Sequence, residues 1–160
     1  MIALREADLR EKLGEFIWGS DEDTLESAVT SLLREKGLSL AVAETAFSSG
    51  FLTQLLADSA GSGGQFKGGT VSMTGKKEED ADGALEMARE VRARFGSDVG
   101  AAITGRFDIV GGVRIGQASI AIDGERGIRA TSTFSGIYAF ARVRAAYSAL
   151  FELRRALQAL

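Results

Sequence analysis

Between an apolar run and an apolar helical pattern the chain carries Glu44-Thr45-Ala46-Phe47-Ser48-Ser49-Gly50, a carboxylate and several hydroxyls at a strand-to-helix turn. A hydroxyl placed there lies near the unpaired N–H groups of a helix N-terminus, which favour an anion or a developing oxyanion. Thr45, Ser48 and Ser49 are thus candidates for nucleophilic or anion-binding chemistry. The simpler reading is that Ser48 or Ser49 caps the helix beginning near Phe51. A second cluster, Ser72, Thr74, Lys76 and Lys77, offers a Ser/Lys pair in which a desolvated lysine is the base. Its Lys-Lys-Glu-Glu-Asp run, 76–80, is self-neutralising, which favours a solvated turn. A third cluster holds Thr104, Gly105, Arg106, Asp108, Gly111 and Gly112. Glycines admit a phosphate to the backbone, but no G-x-G-x-x-G or Walker spacing is present. Arg106 and Asp108 either serve a ligand or pair with each other.

What is missing narrows the chemistry further. The 160 residues contain no cysteine and no histidine. Disulfides, thiolate metal sites, imidazole zinc ligation, a Cys nucleophile and a Ser-His triad are all excluded. No metal and no cofactor is expected, and any catalysis rests on hydroxyls, carboxylates, Lys, Tyr or backbone dipoles. A net charge of −3 argues against general nucleic-acid binding, which needs a basic face. Apolar residues at 45% and charged residues at 26% describe an ordinary globular chain. No apolar run approaches the roughly 18 residues of a membrane span, and Met1 is not followed by a signal-peptide pattern. A soluble, cytoplasmic protein with no membrane contact is expected.

The elements that must position these clusters follow from hydrophobic spacing. Residues 3–18 read as a helix with Leu9, Leu13, Phe16 and Ile17 on one face, and Ser20 with Asp23 resembles a helix-capping arrangement. A helix carrying Leu25, Val29 and Leu33 then ends at Gly37. Strands are expected over 38–43, 68–73, 98–104, 113–122 and 127–134, with helices from Phe51, over 84–95 and over 138–160. The last helix is expected to bury Phe140, Val143, Tyr147, Leu150, Phe151 and Leu157. Asp123-Gly124 marks a hairpin, and 105–112 reads as a loop. Alternating strands and helices followed by a hairpin and a helix give an α/β layered domain with a mixed sheet. The division expected is a helical extension, 1–19, and one domain, 20–160. The apolar Phe16, Ile17 and Trp18 of the extension would pack on a neighbouring domain or subunit.

The motifs together resemble a known family. Ala43 to Gly50 is similar to the Ala-Glu-Ser-Cys-Thr-Gly-Gly motif of the CinA C-terminal domain, the nicotinamide mononucleotide deamidase family. Gly68-Gly69-Thr70-Val71-Ser72-Met73-Thr74 resembles its Gly-Gly-Val-Val-Ser-Tyr-Ser strand. Arg94-Phe95-Gly96-Ser97-Asp98 and Ala102-Ile103-Thr104-Gly105 resemble its Arg-Phe-Gly-Ala-Asp and Ala-Val-Thr-Gly. Gly116 to Ala121 and Phe134-Ser135-Gly136 resemble later segments, and Arg10 to Leu25 is similar to the stretch that joins this domain to the amino-terminal domains of full-length members. The resemblance implies a three-layer α/β/α fold with a mixed sheet. It also implies a homo-oligomer and, in a longer chain, an N-terminal CinA domain as neighbour.

The family hydrolyses the carboxamide of nicotinamide mononucleotide with the motif's serine as nucleophile, helped by the tyrosine and a lysine after it. Here the serine position is Thr45, the tyrosine position is Met73 and the lysine position is Glu78, with Lys76 and Lys77 nearby. The stretch that separates that lysine from the next helix is missing, and the closing Asp-Arg is Ile137-Tyr138. A threonine hydroxyl without a base is a poor nucleophile. The expectation is a decayed amidase site on a retained scaffold, working as a binding or assembly module. The alternative is an active amidohydrolase on nicotinamide mononucleotide, with Thr45 as nucleophile and Lys76 or Lys77 as base. Substrate contacts would come from Glu44, Ser48, Ser49, Ser72, Thr74, Thr104 and Gly105, and the ligand would be a pyridine nucleotide or other phosphate-bearing small molecule. The turn at 45–49 should still present free N–H donors to such an anion. Phe47 would either stack on a base or plug the cavity, and plugging is favoured.

Overall fold

The computed structural model describes residues 11–12, 23–61, 63–73, 79–125 and 128–160. Residues 11–12 are helical, but the rest of the expected helix at 3–18, the Ser20 capping arrangement and residues Thr74, Lys76 and Lys77 lie outside the described residues. Helix α1 spans Leu25–Lys36, α2 Phe51–Ala60, α3 Ala81–Phe95 and α4 Tyr138–Gln158. Strands are β1 Leu40–Thr45, β2 Phe66–Ser72, β3 Val99–Val110, β4 Val113–Gly124 and β5 Arg129–Ile137. They form one five-stranded sheet in the order β2-β1-β3-β4-β5. Its β2-β1-β3 half is parallel and its β3-β4-β5 half antiparallel.

The sheet is the middle of three layers, as expected. Successive strand side chains alternate faces, so Leu40 and Val42 join Val99, Ile103, Ile120 and Ile122 against α1, α2 and α4. The intervening Ala41, Ala43, Ala102 and Ala121 face α3, which supplies Ala84, Leu85, Ala88 and Val91. That second face is built almost wholly of small residues, so α3 lies close upon it. Gly100 takes this furthest: a Cβ there would fall inside the backbone carbonyl of Ala88 and 2.9 Å from Cβ of Arg92. Asp123 on β4 then holds α3 in place through Arg89 Nε and Arg92 Nε, each at 3.3 Å.

Several boundaries differ from the sequence-based expectation. The segment 105–112 is not a loop: β3 runs on to Val110 and turns through Gly111 and Gly112, at φ +58° and +79°, straight into β4. Left-handed values at both turn positions are what a two-residue hairpin requires, and glycine adopts them without strain. Strand β5 likewise continues to Ile137. The last helix buries Leu150 and Leu157, but Phe140, Val143 and Tyr147 are exposed. An alanine stripe, Ala141, Ala145, Ala146 and Ala149, faces the sheet in their place, and the larger side chains fall on the outer side. Alanine carries little weight in a hydrophobic pattern, yet close packing selects it.

The close approach of α3 gives a test. Gly100→Ala should destabilise the fold by about 2 kcal/mol, as overpacking against backbone does. Gly136→Ala, whose added Cβ would meet only the Arg144 side chain at 3.4 Å and Phe134 at 3.9 Å, should leave stability nearly unchanged. Urea denaturation of the two variants beside the parent chain decides it.

Candidate functional site at the carboxyl ends of the parallel strands

The turn after β1 is shaped by one carboxylate. Glu44 is fully buried and points from β1 into the first turn of α2. Its Oε1 accepts hydrogen bonds from the backbone N–H and the hydroxyl of Thr53, both at 2.7 Å, and its Oε2 accepts from Leu52 N–H at 3.3 Å. The donors that an anion would seek at this helix N-terminus are therefore already bound to a carboxylate of the same chain. That corrects the expectation that residues 45–49 present free N–H groups to a ligand. It also displaces the simpler reading: neither serine caps α2, whose first flanking residue is Gly50, at φ +81° and with no side-chain cap. Ser49, itself at φ +55°, donates its hydroxyl to Ala46 O at 2.8 Å.

The strand register separates the remaining candidates by face. Ser72 stands opposite Thr45 across β2 and β1, Glu44 pairs with Ile103, and Thr104 pairs with Ser119 across β3 and β4. Ser72, Thr45, Thr104 and Ser119 thus form a row of hydroxyl residues on the α3 side of the sheet, at its carboxyl end. Glu44 and Gly105 belong to the opposite side. The Thr45 and Thr104 hydroxyl oxygens are buried and without a hydrogen-bond partner among the described residues, as is that of Ser48. Ser119 donates to the Glu79 carbonyl at 3.4 Å. Beside the row opens a groove of about 570 Å³ between the start of α3, at Glu79 and Asp80, and the strand residues Arg106, Gln117, Ser119 and Ser135. Part of the acceptor capacity of Asp80 is already used, since its side chain caps α3 by accepting from Gly83 N–H at 2.9 Å.

On the other face, the volume next to Gly105 is filled. Phe47 is 2% exposed and part of the main core. Its ring stacks on Phe107, with centroids 4.6 Å apart and planes 17° apart, and Phe107 meets Tyr138 edge-on at 4.7 Å. The Arg114 guanidinium covers this group, 4.9 Å from the Phe107 ring and 4.0 Å from the Tyr138 ring. A Cβ on Gly105 or Gly116 would come within 2.9 or 3.0 Å of the Phe47 ring, so both glycines make room for it. Of the two roles open to Phe47, the structure shows the plug. Arg106 and Asp108 pair with each other at 3.1 Å, and Arg106 also donates to the Gln117 side-chain oxygen at 2.6 Å. Gly111 and Gly112 form the turn of the β3–β4 hairpin. Sequence reasoning missed Ser119 and Gln117. Both were within reach: counting outward from a Gly111-Gly112 turn places Ser119 opposite Thr104 and Gln117 opposite Arg106. Among the described residues no group of His, Cys, Asp and Glu is arranged to hold a metal, and no helix is long and apolar enough to cross a membrane.

Two substitutions test this geometry. Glu44→Ala strips three donors of a buried acceptor and should cost about 3 kcal/mol of stability, whereas Glu44→Gln keeps an acceptor and should cost less. Phe47→Ala should cost about 3–4 kcal/mol and open a cavity beside Gly105 and Gly116. Thermal unfolding of each, with xenon or benzene binding to Phe47→Ala, provides the readout.

No family model matches the chain. A competence-damage inducible protein of Moorella thermoacetica is 33% identical over 180 aligned positions, covering 99% of this chain and 43% of the relative. A CinA-like protein of Geobacter sulfurreducens is 33% identical over 93% of this chain and 41% of its own length. The chain therefore spans less than half the length of these curated relatives. Among solved structures, a CinA superfamily protein of Klebsiella pneumoniae matches with a TM-score of 0.71 at 20% identity, over 85% of this chain and 97% of that one. One from Escherichia coli matches with a TM-score of 0.69 at 24% identity, over 90% and 95%. At these identities the structures speak for the fold, and the sequence matches speak for the lineage. With the three-layer mixed sheet, they make this chain a member of the CinA, competence/damage-inducible, family.

Proposed function

We propose that the chain is a CinA-family domain that keeps the scaffold but not the amide hydrolysis implied by its resemblance to nicotinamide mononucleotide deamidases, and that it acts as a binding or assembly module within a longer protein. The observation that carries this reading is the replacement of the family's serine, tyrosine and lysine positions by Thr45, Met73 and Glu78. A hydroxyl titrates far above neutral pH, so attack on a carboxamide needs a base within about 2.6–3.2 Å, directly or through one water. General acid–base help contributes about 10²–10⁴-fold, and its loss leaves little turnover. The packing of Phe47 and the self-satisfied N-terminus of α2 support the same reading, because each removes a feature that a nucleotide would use. The groove beside Thr104 and Ser119 remains the place for a small polar or phosphate-bearing ligand, held weakly.

Incubation with nicotinamide mononucleotide should release ammonia at no more than the background rate, unchanged by Thr45→Ala. Turnover that Thr45→Ala abolishes would overturn the proposal. Calorimetry should show a dissociation constant for this nucleotide of about 1 mM or weaker, equivalent to about 4 kcal/mol of binding.

A further inference from the structure

The turn between β1 and α2, residues 46–50, is held by one favourable contact against two unfavourable ones. The favourable one is the Phe47 ring, 2% exposed and stacked on Phe107. The other two follow it directly in the chain. Ser48, 1% exposed, carries a hydroxyl without a hydrogen-bond partner among the described residues. A buried polar group in that state has given up water and received nothing in return. Ser49 stands at φ +55°, the one residue other than glycine with a positive φ among the described residues. Left-handed backbone crowds the Cβ of an L-residue, and serine lacks the tolerance for it that asparagine has. Burying the ring is therefore what draws its two successors into these states. Strain of this kind persists only where the surroundings impose it, and it gathers at switch regions.

We propose that residues 46–50 form a two-position gate, closed as described and open when the Phe47 ring leaves Phe107 and turns towards solvent. In the open position Ser49 leaves the left-handed region and the Ser48 hydroxyl reaches water. The two ends of the gate stay fixed. Glu44 ties β1 to the N–H groups of Leu52 and Thr53, so the motion is confined to the residues between them. Gly50, at φ +81°, supplies a hinge free of side-chain crowding. Opening breaks two bonds inside the turn, from Ser49 N–H to Thr45 O at 3.1 Å and from the Ser49 hydroxyl to Ala46 O at 2.8 Å. Ser49 is exposed, so water takes over both of its donors. The space in front of Gly105 and Gly116, which the Phe47 ring fills when closed, is then emptied. The carboxyl end of the parallel strands thus alternates between sealed and accessible. This motion needs no ligand and is independent of whether the domain hydrolyses a nucleotide.

The test is fluorine relaxation dispersion on the whole chain with its nine phenylalanines replaced by 4-fluorophenylalanine. Loss of one signal in Phe47→Leu identifies the Phe47 resonance. In the parent chain that resonance should exchange on the microsecond-to-millisecond scale with a minor state populated between about 0.1% and 10%. The Phe107 resonance should share the process. Ser48→Ala removes the unpartnered hydroxyl, and Ser49→Asn places a residue suited to the left-handed region at an exposed position. Each should lower the minor population about threefold or more. Ser49→Val, whose branched side chain resists that region, should raise it by a similar factor. A serine pair with a merely structural role would leave the exchange where it is. A Phe47 resonance without exchange would overturn the proposal. So would an exchange that the three variants leave unchanged or shift in the opposite sense.

Discussion

The carboxylate of Glu44 organises the end of the domain where chemistry would take place. It leaves β1, enters the interior and binds the first backbone donors of α2 together with the Thr53 hydroxyl. A buried carboxylate is tolerable only when hydrogen-bonded in this way, and a helix N-terminus is an apt partner because its dipole favours negative charge. The bond ties strand to helix and so sets the path of the turn between them. With that path set, Phe47 points into the core and Thr45 points to the other face. The same turn that could receive an external anion is closed by an internal one.

The sheet then divides the motif residues between two environments. On the α1, α2 and α4 side, the carboxyl end of β3 carries glycine so that aromatic rings can fill the space, and Arg114 covers them. On the α3 side, the strands carry alanine and glycine in the middle, for close helix packing, and hydroxyls at the end. The small residues and the hydroxyl row are one design: the former bring α3 down onto the sheet, and its N-terminal residues then line the groove beside the latter. Membership of the CinA family explains why this framework is present. The residues set into it differ from the resemblance where proton transfer would occur. Neither Thr45 nor Met73 belongs to the buried core clusters, and the scaffold is held by backbone register and small-residue packing.

The outer edge of β5 has no strand beside it among the described residues, and Phe140 and Tyr147 of α4 are exposed. Either alone is ordinary on a protein surface.

Much of this protein is legible in its amino-acid order. The absence of cysteine and histidine decides which reactions are closed to it. The 3.6-residue spacing of Leu25, Val29 and Leu33, stopped at Gly37, marks α1, whose C-cap indeed adopts the left-handed conformation. The order of motifs identifies the lineage and with it the three-layer fold. Other features depend on distances between residues far apart in the chain. That Glu44 serves α2 rather than a substrate follows from where β1 delivers it, eight and nine residues before its donors. That Thr104 and Ser119 stand together follows from strand pairing through a hairpin whose glycines look like loop. That Ala141 and Ala145, not Phe140 and Val143, face the sheet follows from how closely α4 approaches it. Local propensity and periodicity are properties of neighbours in the chain and can be read from it directly. Which face a side chain meets, and what already occupies its hydrogen bonds, is settled only when separate segments pack, because burial and polar pairing are satisfied jointly and not residue by residue.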